Sequence, residues 1–127
     1  MSNQPILVID DETDTIEFIR IMFSMRGREV VGALQGEEGL RLARELRPAV
    51  ILLDIMMPEM NGFEVCRRLR ADPLMARIPI VILSARASPA DQAEGAAVGA
   101  DRYIVKPINV KALAGLVESL IAERASS

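Results

Sequence analysis

Four short runs of apolar residues punctuate the chain, and each ends in a side chain capable of chemistry. Ile6-Leu7-Val8-Ile9 leads into Asp10-Asp11, Val50-Ile51-Leu52-Leu53 into Asp54, Ile80-Val81-Ile82-Leu83 into Ser84, and Tyr103-Ile104-Val105 into Lys106. Runs of Val, Ile and Leu without alternation are the pattern of strands buried on both faces of a parallel sheet. A shorter run opens at Val30-Val31. In open α/β sheets the ligand site lies at the carboxyl ends of the strands, so these polar termini are expected to meet at one rim.

The intervening segments carry helical spacing. Thr13 is expected to cap a first helix with Ile16, Ile19 and Phe23 on one face and Gly27 beyond its end. Gly36-Glu37-Glu38 starts a second, with Leu40, Ala43 and Leu46 inward and Pro48 as its stop. The turn residues of Met57-Pro58-Glu59-Met60-Asn61-Gly62 precede a third helix over Phe63 to Arg70. Pro79 stands at the first position of the fourth strand, and Ser88-Pro89 supplies a cap and first-turn proline for a helix ending near Gly99. Leu113, Leu116, Val117, Leu120 and Ile121 mark an amphipathic last helix. The alternation predicts one α/β domain, a (βα)5 doubly wound, five-stranded parallel sheet with helices on both faces. The fourth helix offers Ala90, Ala93, Gly95, Ala96 and Ala97 where the others offer Leu or Ile. It is expected to bury less apolar area and to exchange its amides faster than the fifth.

Half of the 127 residues are apolar, enough for one packed core. A net charge of −3 with scattered Lys and Arg gives no footprint for nucleic acid. No apolar stretch approaches the roughly 20 residues of a membrane span, and Met-Ser-Asn-Gln-Pro lacks a signal core, so a cytoplasmic location is expected. Cys66, the one cysteine, falls between Phe63 and Leu69 in a helical pattern and reads as a buried structural thiol. The absence of His excludes His-based acid/base catalysis, His metal ligation and Ser-His-Asp chemistry. Carboxylates, Ser, Lys and a bound ion remain.

Glu12 and Asp14 are accounted for by the positive end of a helix dipole, and Thr15 occupies the position where an EF-hand loop needs Gly. Asp10, Asp11 and Asp54 are different, because they end adjacent buried strands. Two unit charges about 4 Å apart cost roughly 4 kcal/mol at an effective dielectric near 20, so three converging carboxylates call for a cation. Oxygen ligands alone favour Mg²⁺, with Mn²⁺ as a substitute. Taken singly, Asp54 could be a turn former, Ser84 a cap, Tyr103 core filling and Lys106 a solvated charge; a cis Lys106-Pro107 bond would aim the ammonium inward over the acids.

Asp10-Asp11, the run Asp54-Ile55-Met56-Met57-Pro58-Glu59-Met60-Asn61-Gly62, Ser84-Ala85, and Gly99-Ala100-Asp101-Arg102-Tyr103-Ile104-Val105-Lys106-Pro107 together resemble the receiver domain of bacterial two-component response regulators, the CheY-like superfamily. The resemblance covers nearly the whole chain and implies a single receiver over residues 1–127, with its core from 4 to 124 and the flavodoxin-like strand order 2-1-3-4-5. It implies phosphoryl transfer from a sensor histidine kinase or histidine phosphotransfer protein to Asp54. Asp11 and Asp54 would bind Mg²⁺ directly, Asp10 through water, and Met56 through its backbone carbonyl. Lys106 and Ser84 would contact the phosphoryl oxygens. Ser84 and Tyr103 would form the switch that re-forms the surface of the fourth helix, last strand and last helix for a downstream protein or output domain. Such a domain is a signalling module that catalyses only its own phosphorylation and dephosphorylation.

Departures from the family pattern refine these expectations. Ser84 stands where Thr is commoner and keeps the hydroxyl; Ile108 replaces a frequent Phe. Met56 and Arg86 occupy the positions that tune phosphoryl lifetime, and an apolar Met56 predicts slow self-dephosphorylation. Ala112 and Leu116 replace a Glu and an Arg that pair across the dimer of one transcription-factor class, so a monomer or weak dimer is expected. No output domain lies within these residues, and a stand-alone receiver and a part of a longer regulator both stay open. The alternative is a receiver-like protein-binding module regulated without phosphorylation. A haloacid-dehalogenase-type phosphatase would need a second Asp at position 56, and a flavodoxin would need aromatic residues and a Gly-rich phosphate loop that the chain lacks.

Overall fold

The computed structural model describes residues 4–86 and 88–126. Met1 to Asn3 and Ser127 lie outside the described residues, and with them the outer domain bounds and most of the N-terminal stretch read for a signal core. Strands and helices alternate as β1 (Ile6–Ile9), α1 (Thr13–Ser24), β2 (Val30–Ala33), α2 (Gly36–Leu46), β3 (Val50–Leu53), α3 (Gly62–Ala71), β4 (Ile80–Ser84), α4 (Pro89–Ala97), β5 (Arg102–Val105) and α5 (Val110–Ser126). All strand pairs are parallel, in the order β2-β1-β3-β4-β5.

Every residue of β1, β3 and β4 is buried, as their unbroken aliphatic runs require. β5 departs from that expectation: Arg102 and Val105 are exposed and Tyr103 and Ile104 half-buried. It pairs only with β4 and ends the sheet, so one side lacks a neighbouring strand. One core layer joins the sheet to α1 and α5 through Ile16, Ile19, Phe23, Leu113, Val117 and Leu120. The other joins it to α2 and α3 through Ala43, Val65, Cys66 and Leu69. Each fully buried aliphatic side chain in these layers contributes roughly 1.5–3 kcal/mol by leaving water.

The helix boundaries follow local chemistry. α1 begins at Thr13, and the capping position belongs to Glu12, whose side chain makes no cap bond. The chain turns one residue earlier than the Thr13 cap predicted, because Asp10 Oδ1 already accepts the Glu12 amide at 2.9 Å. Gly27 follows α1 at φ +74°, where a residue with a Cβ is strained. α2 ends at Leu46 ahead of Pro48; it buries Gly36, Gly39 and Ala43, whereas Leu40 and Leu46 are half-buried. A Cβ on Gly39 would lie 2.5 Å from Ile9 Cδ1, so small residues let this helix approach the sheet closely. Ser88 and Asp91 form a capping box at α4, with Pro89 in its first turn.

Candidate functional site

Register brings the polar strand ends together. Ile9 stands beside Leu53, and the ladder continues one residue further as the Asp10 amide bonds the Ala33 carbonyl and the Asp54 amide bonds the Ile9 carbonyl. Across the sheet Ser84 stands beside Val105, and the Lys106 amide donates to the Ser84 carbonyl at 2.9 Å. Asp10, Asp54, Ser84 and Lys106 are therefore placed by backbone hydrogen bonds at the carboxyl rim.

Three of these side chains share a local device. Asp10 Oδ1 accepts the amide of Glu12, Asp54 Oδ1 that of Met56 at 3.1 Å, and Ser84 Oγ that of Arg86 at 3.1 Å. Each closes a turn with the residue two positions on, which fixes the side chain and commits only part of its bonding capacity. The remaining carboxylate oxygens turn to Lys106, whose Nζ lies 3.1 Å from Asp10 Oδ2, 3.5 Å from Glu12 Oε1 and 3.5 Å from Asp54 Oδ2. The Lys106–Pro107 peptide is cis.

Asp10 is 1 % exposed and Asp54 6 %. Burial pushes the Asp10 carboxyl above its usual range and the charge of Asp54 adds to this, against the Glu12 amide and Lys106, which favour the anion. Burial also works against the Lys106 charge, but the hydrogen bond to Asp10 and the attraction of Asp10, Asp54 and Glu12 outweigh it and hold that ammonium above its ordinary value. The rim opens into a cleft of about 290 Å³ lined by Asp11, Glu12, Asp54, Met56, Ala85 and Lys106.

Among the described residues, carboxylate oxygens of Asp10, Glu12 and Asp54 lie within 4.8 Å of one another. Glu12, assigned from sequence to the helix dipole alone, is thus part of the cluster. Asp11 lines the same cleft but is exposed and lies outside that trio. Met56 is 52 % exposed and lines the cleft. Ser84 is fully buried, and Ala85 takes its place on the cleft wall. The Arg86 guanidinium is directed to Asp91, 2.5 Å away, and is absent from the cleft lining. The Tyr103 ring packs on the cluster of Ile55, Phe63 and Ile82, and its hydroxyl donates to the Arg86 carbonyl. The sequence reading missed Asp91; its signal was the Ser88-x-x-Asp91 spacing of a capping box.

The loop after Asp54 is folded hard against it. The Gly62 amide bonds the Ile55 carbonyl, Asn61 Oδ1 caps α3 through the amides of Phe63 and Glu64, and Glu59 takes φ +72°. A Cβ on Gly62 would lie 2.3 Å from the Asp54 carbonyl oxygen and 2.6 Å from Ile55 Cα, so only glycine fits. A larger groove of about 610 Å³ lies at the other end of the strands, beside Pro79 and Asp101. Its Arg70 is committed to the carbonyls of Ala76, Ile78 and Gly99 and to Asp101, which makes it a structural clamp.

The model of the response regulator receiver domain matches residues 6–118. The chain belongs to this family. The receiver is 39 % identical over 116 residues to the DNA-binding dual master transcriptional regulator RpaA of Synechocystis sp., covering 91 % of this chain and 48 % of the relative. The chain spans about half the length of the curated relatives it matches. Among solved structures, chemotaxis protein CheY4 of Vibrio cholerae superposes with a TM-score of 0.86 at 33 % identity, covering 91 % of this chain and 97 % of that one. A CheY-like receiver domain of Methanospirillum hungatei gives 0.91 at 26 % identity, covering 98 % of each. The flavodoxin-like strand order expected of a two-component receiver is the observed one. The receiver is a signalling module with an acidic pocket at its carboxyl rim. Among the described residues, no helix is long and apolar enough to cross a membrane.

Proposed function

We propose that this receiver accepts a phosphoryl group on Asp54 from the phosphohistidine of a sensor histidine kinase or phosphotransfer protein. The observation that carries this reading is the bonding of Asp54: one oxygen is fixed by the Met56 amide, while the other faces Lys106 at the cleft. In the transfer, an Asp54 carboxylate oxygen forms a bond to phosphorus as the phosphorus–imidazole nitrogen bond breaks, and the imidazole leaves with the electron pair and takes up a proton. Lys106 exchanges a carboxylate for a phosphoryl oxygen, and the Ser84 O–H donates to another.

The donor set fits a hard divalent cation, Mg²⁺ or Mn²⁺. Asp10, Glu12 and Asp54 offer only carboxylate oxygens, and one ammonium leaves their combined charge negative. Asp10, Asp54, the Met56 carbonyl and the rim acids Asp11 and Glu12 are the residues that would hold it. Bound there, Mg²⁺ screens the charge that gathers on the phosphoryl oxygens.

The phosphorylated receiver signals through the surface of α4, β5 and α5 to a downstream protein or output domain, in the cytoplasm and as a monomer or weak dimer. Tyr103, on β5 between Ser84 and this surface, links the two. Met56 presents no polar group to orient a hydrolytic water, so self-dephosphorylation is slow, and Met56→Asn is expected to speed it. Intact mass after incubation with Mg²⁺ and acetyl phosphate tests the central reading. One Mg²⁺-dependent phosphoryl addition, absent from Asp54→Asn, is expected. No addition to the folded wild type would overturn it and favour a module regulated without phosphate.

A further inference from the structure

Asp91 is buried on a helix whose alanines, Ala90, Ala93, Ala96 and Ala97, all face water. Withdrawing a carboxylate from solvent is costly unless partners replace the water. Asp91 Oδ2 receives the Ser88 hydroxyl at 2.8 Å and the Ser88 amide at 3.4 Å, which completes the cap of α4. Oδ1 plays no part in that cap; it receives the Arg86 guanidinium.

The main chain of Arg86 is where the switch elements meet. Its amide donates to Ser84 Oγ and its carbonyl receives the Tyr103 hydroxyl. Accepting an amide uses a lone pair of Ser84 Oγ and leaves the O–H as a donor. Arg86 itself lies on an exposed loop, its side chain 48 % accessible, and Asp91 is the partner that fixes it from α4.

We propose that Asp91 is a positioning residue for phosphorylation of Asp54. By holding the Arg86 side chain it sets the Arg86 main chain, which fixes the position of the Ser84 hydroxyl at the rim and keeps the Tyr103 ring on Ile82. This deepens the acceptor reading of Asp54 and rests on it. α4 is thereby tied to the acceptor site by a charge pair as well as by packing.

The test uses a property of the composition: the chain has one Tyr and no Trp, so its tyrosine emission reports Tyr103 alone. In the unphosphorylated protein, Asp91→Asn and Arg86→Ala are each expected to raise acrylamide quenching of that emission. With acetyl phosphate and Mg²⁺, both are expected to slow phosphorylation roughly two- to tenfold, and the double variant no further than either single one. Arg86→Lys, which keeps a cation within reach, is expected to recover part of the rate. Ser88→Ala removes the cap but leaves Oδ1 to Arg86, so it is expected to lower the melting temperature while sparing quenching and rate. Wild-type quenching and rate in Asp91→Asn and Arg86→Ala would overturn the proposal, as would a Ser88→Ala variant impaired as much as Asp91→Asn. Should Asp91→Asn fail to fold, Arg86→Ala, altered on an exposed loop, carries the test. A wild type that takes up no phosphoryl group would overturn the acceptor reading and the positioning role with it; the quenching data would still distinguish that failure from the absence of the anchor.

Discussion

α4 and α5 flank the same edge of the sheet, yet they are attached to it by different means. α5 drives Leu113, Ala114, Val117 and Leu120 into the core layer it shares with α1, with Leu116 and Ile121 at the margin. α4 buries only Asp91 and Gly95. One helix is held by area removed from water, the other by a cap, an ion pair and the close approach of a glycine to Tyr103 and Ile82. Hydrophobic burial is non-directional and tolerates little displacement once packed, whereas a few polar contacts can be exchanged for others at small net cost. Of the two helices on the proposed signalling surface, α4 is the one held in the exchangeable way.

The comparison breaks first under truncation of α5. Leu113→Ala is expected to destabilise the fold by about 2–5 kcal/mol in urea titration, the range for a fully buried leucine. No side chain of α4 offers an equal loss. Amide exchange sharpens the contrast: α4 amides are expected to exchange at least roughly tenfold faster than those of α5, reporting local opening below the global stability. Equal protection would remove the distinction. Gly95→Ala probes the contact itself, since its Cβ would lie 3.0 Å from Tyr103 Cδ2 and 3.1 Å from Ile82 Cδ1. Crowding opposes the gain in helix propensity, so stability is expected to change by no more than about 1 kcal/mol. Tyrosine emission will nonetheless shift as the ring moves.

The smallest effect concerns how α5 is pinned at its outer face. Arg28 donates twice to Glu118, at 3.0 and 2.8 Å, and this holds the Glu118 carboxyl below its usual range. A depressed carboxyl contributes stability that is present above its unfolded pKa, near 4.3, and is lost as pH falls through the lower folded value. Glu118→Gln is therefore expected to cost about 0.2–1 kcal/mol at neutral pH, screened because Glu118 is partly exposed, and nothing in strong acid.

What the sequence made legible follows the same division. β1, β3 and β4 could be read because burial on both faces leaves no polar position in the run. β5 carried the same aliphatic signature in Ile104 and Val105, but pattern does not report which strand ends the sheet. Asp10, Asp54, Ser84 and Lys106 were legible because each ends a strand, and register does the rest. Glu12 was misjudged, and the partner of Arg86 was not foreseen, for one reason: both stand on loops just past a strand, where direction depends on long side chains choosing partners far away in sequence or on the next helix. Asp91 was hidden because a polar residue among alanines looks solvated until its partners are known.

Gly62 sets a dimensional limit on the acceptor. Its backbone abuts the Asp54 carbonyl so closely that no methyl group can be interposed. The start of α3 thus serves as a mechanical stop for the end of β3, and in-line transfer tolerates misplacement of little more than about 1 Å. A side chain introduced at this stop would move the main chain of Asp54 as a whole. The placement of the Asp54 main chain is thereby made a property of the backbone, while the side chains around it set how its carboxylate is presented.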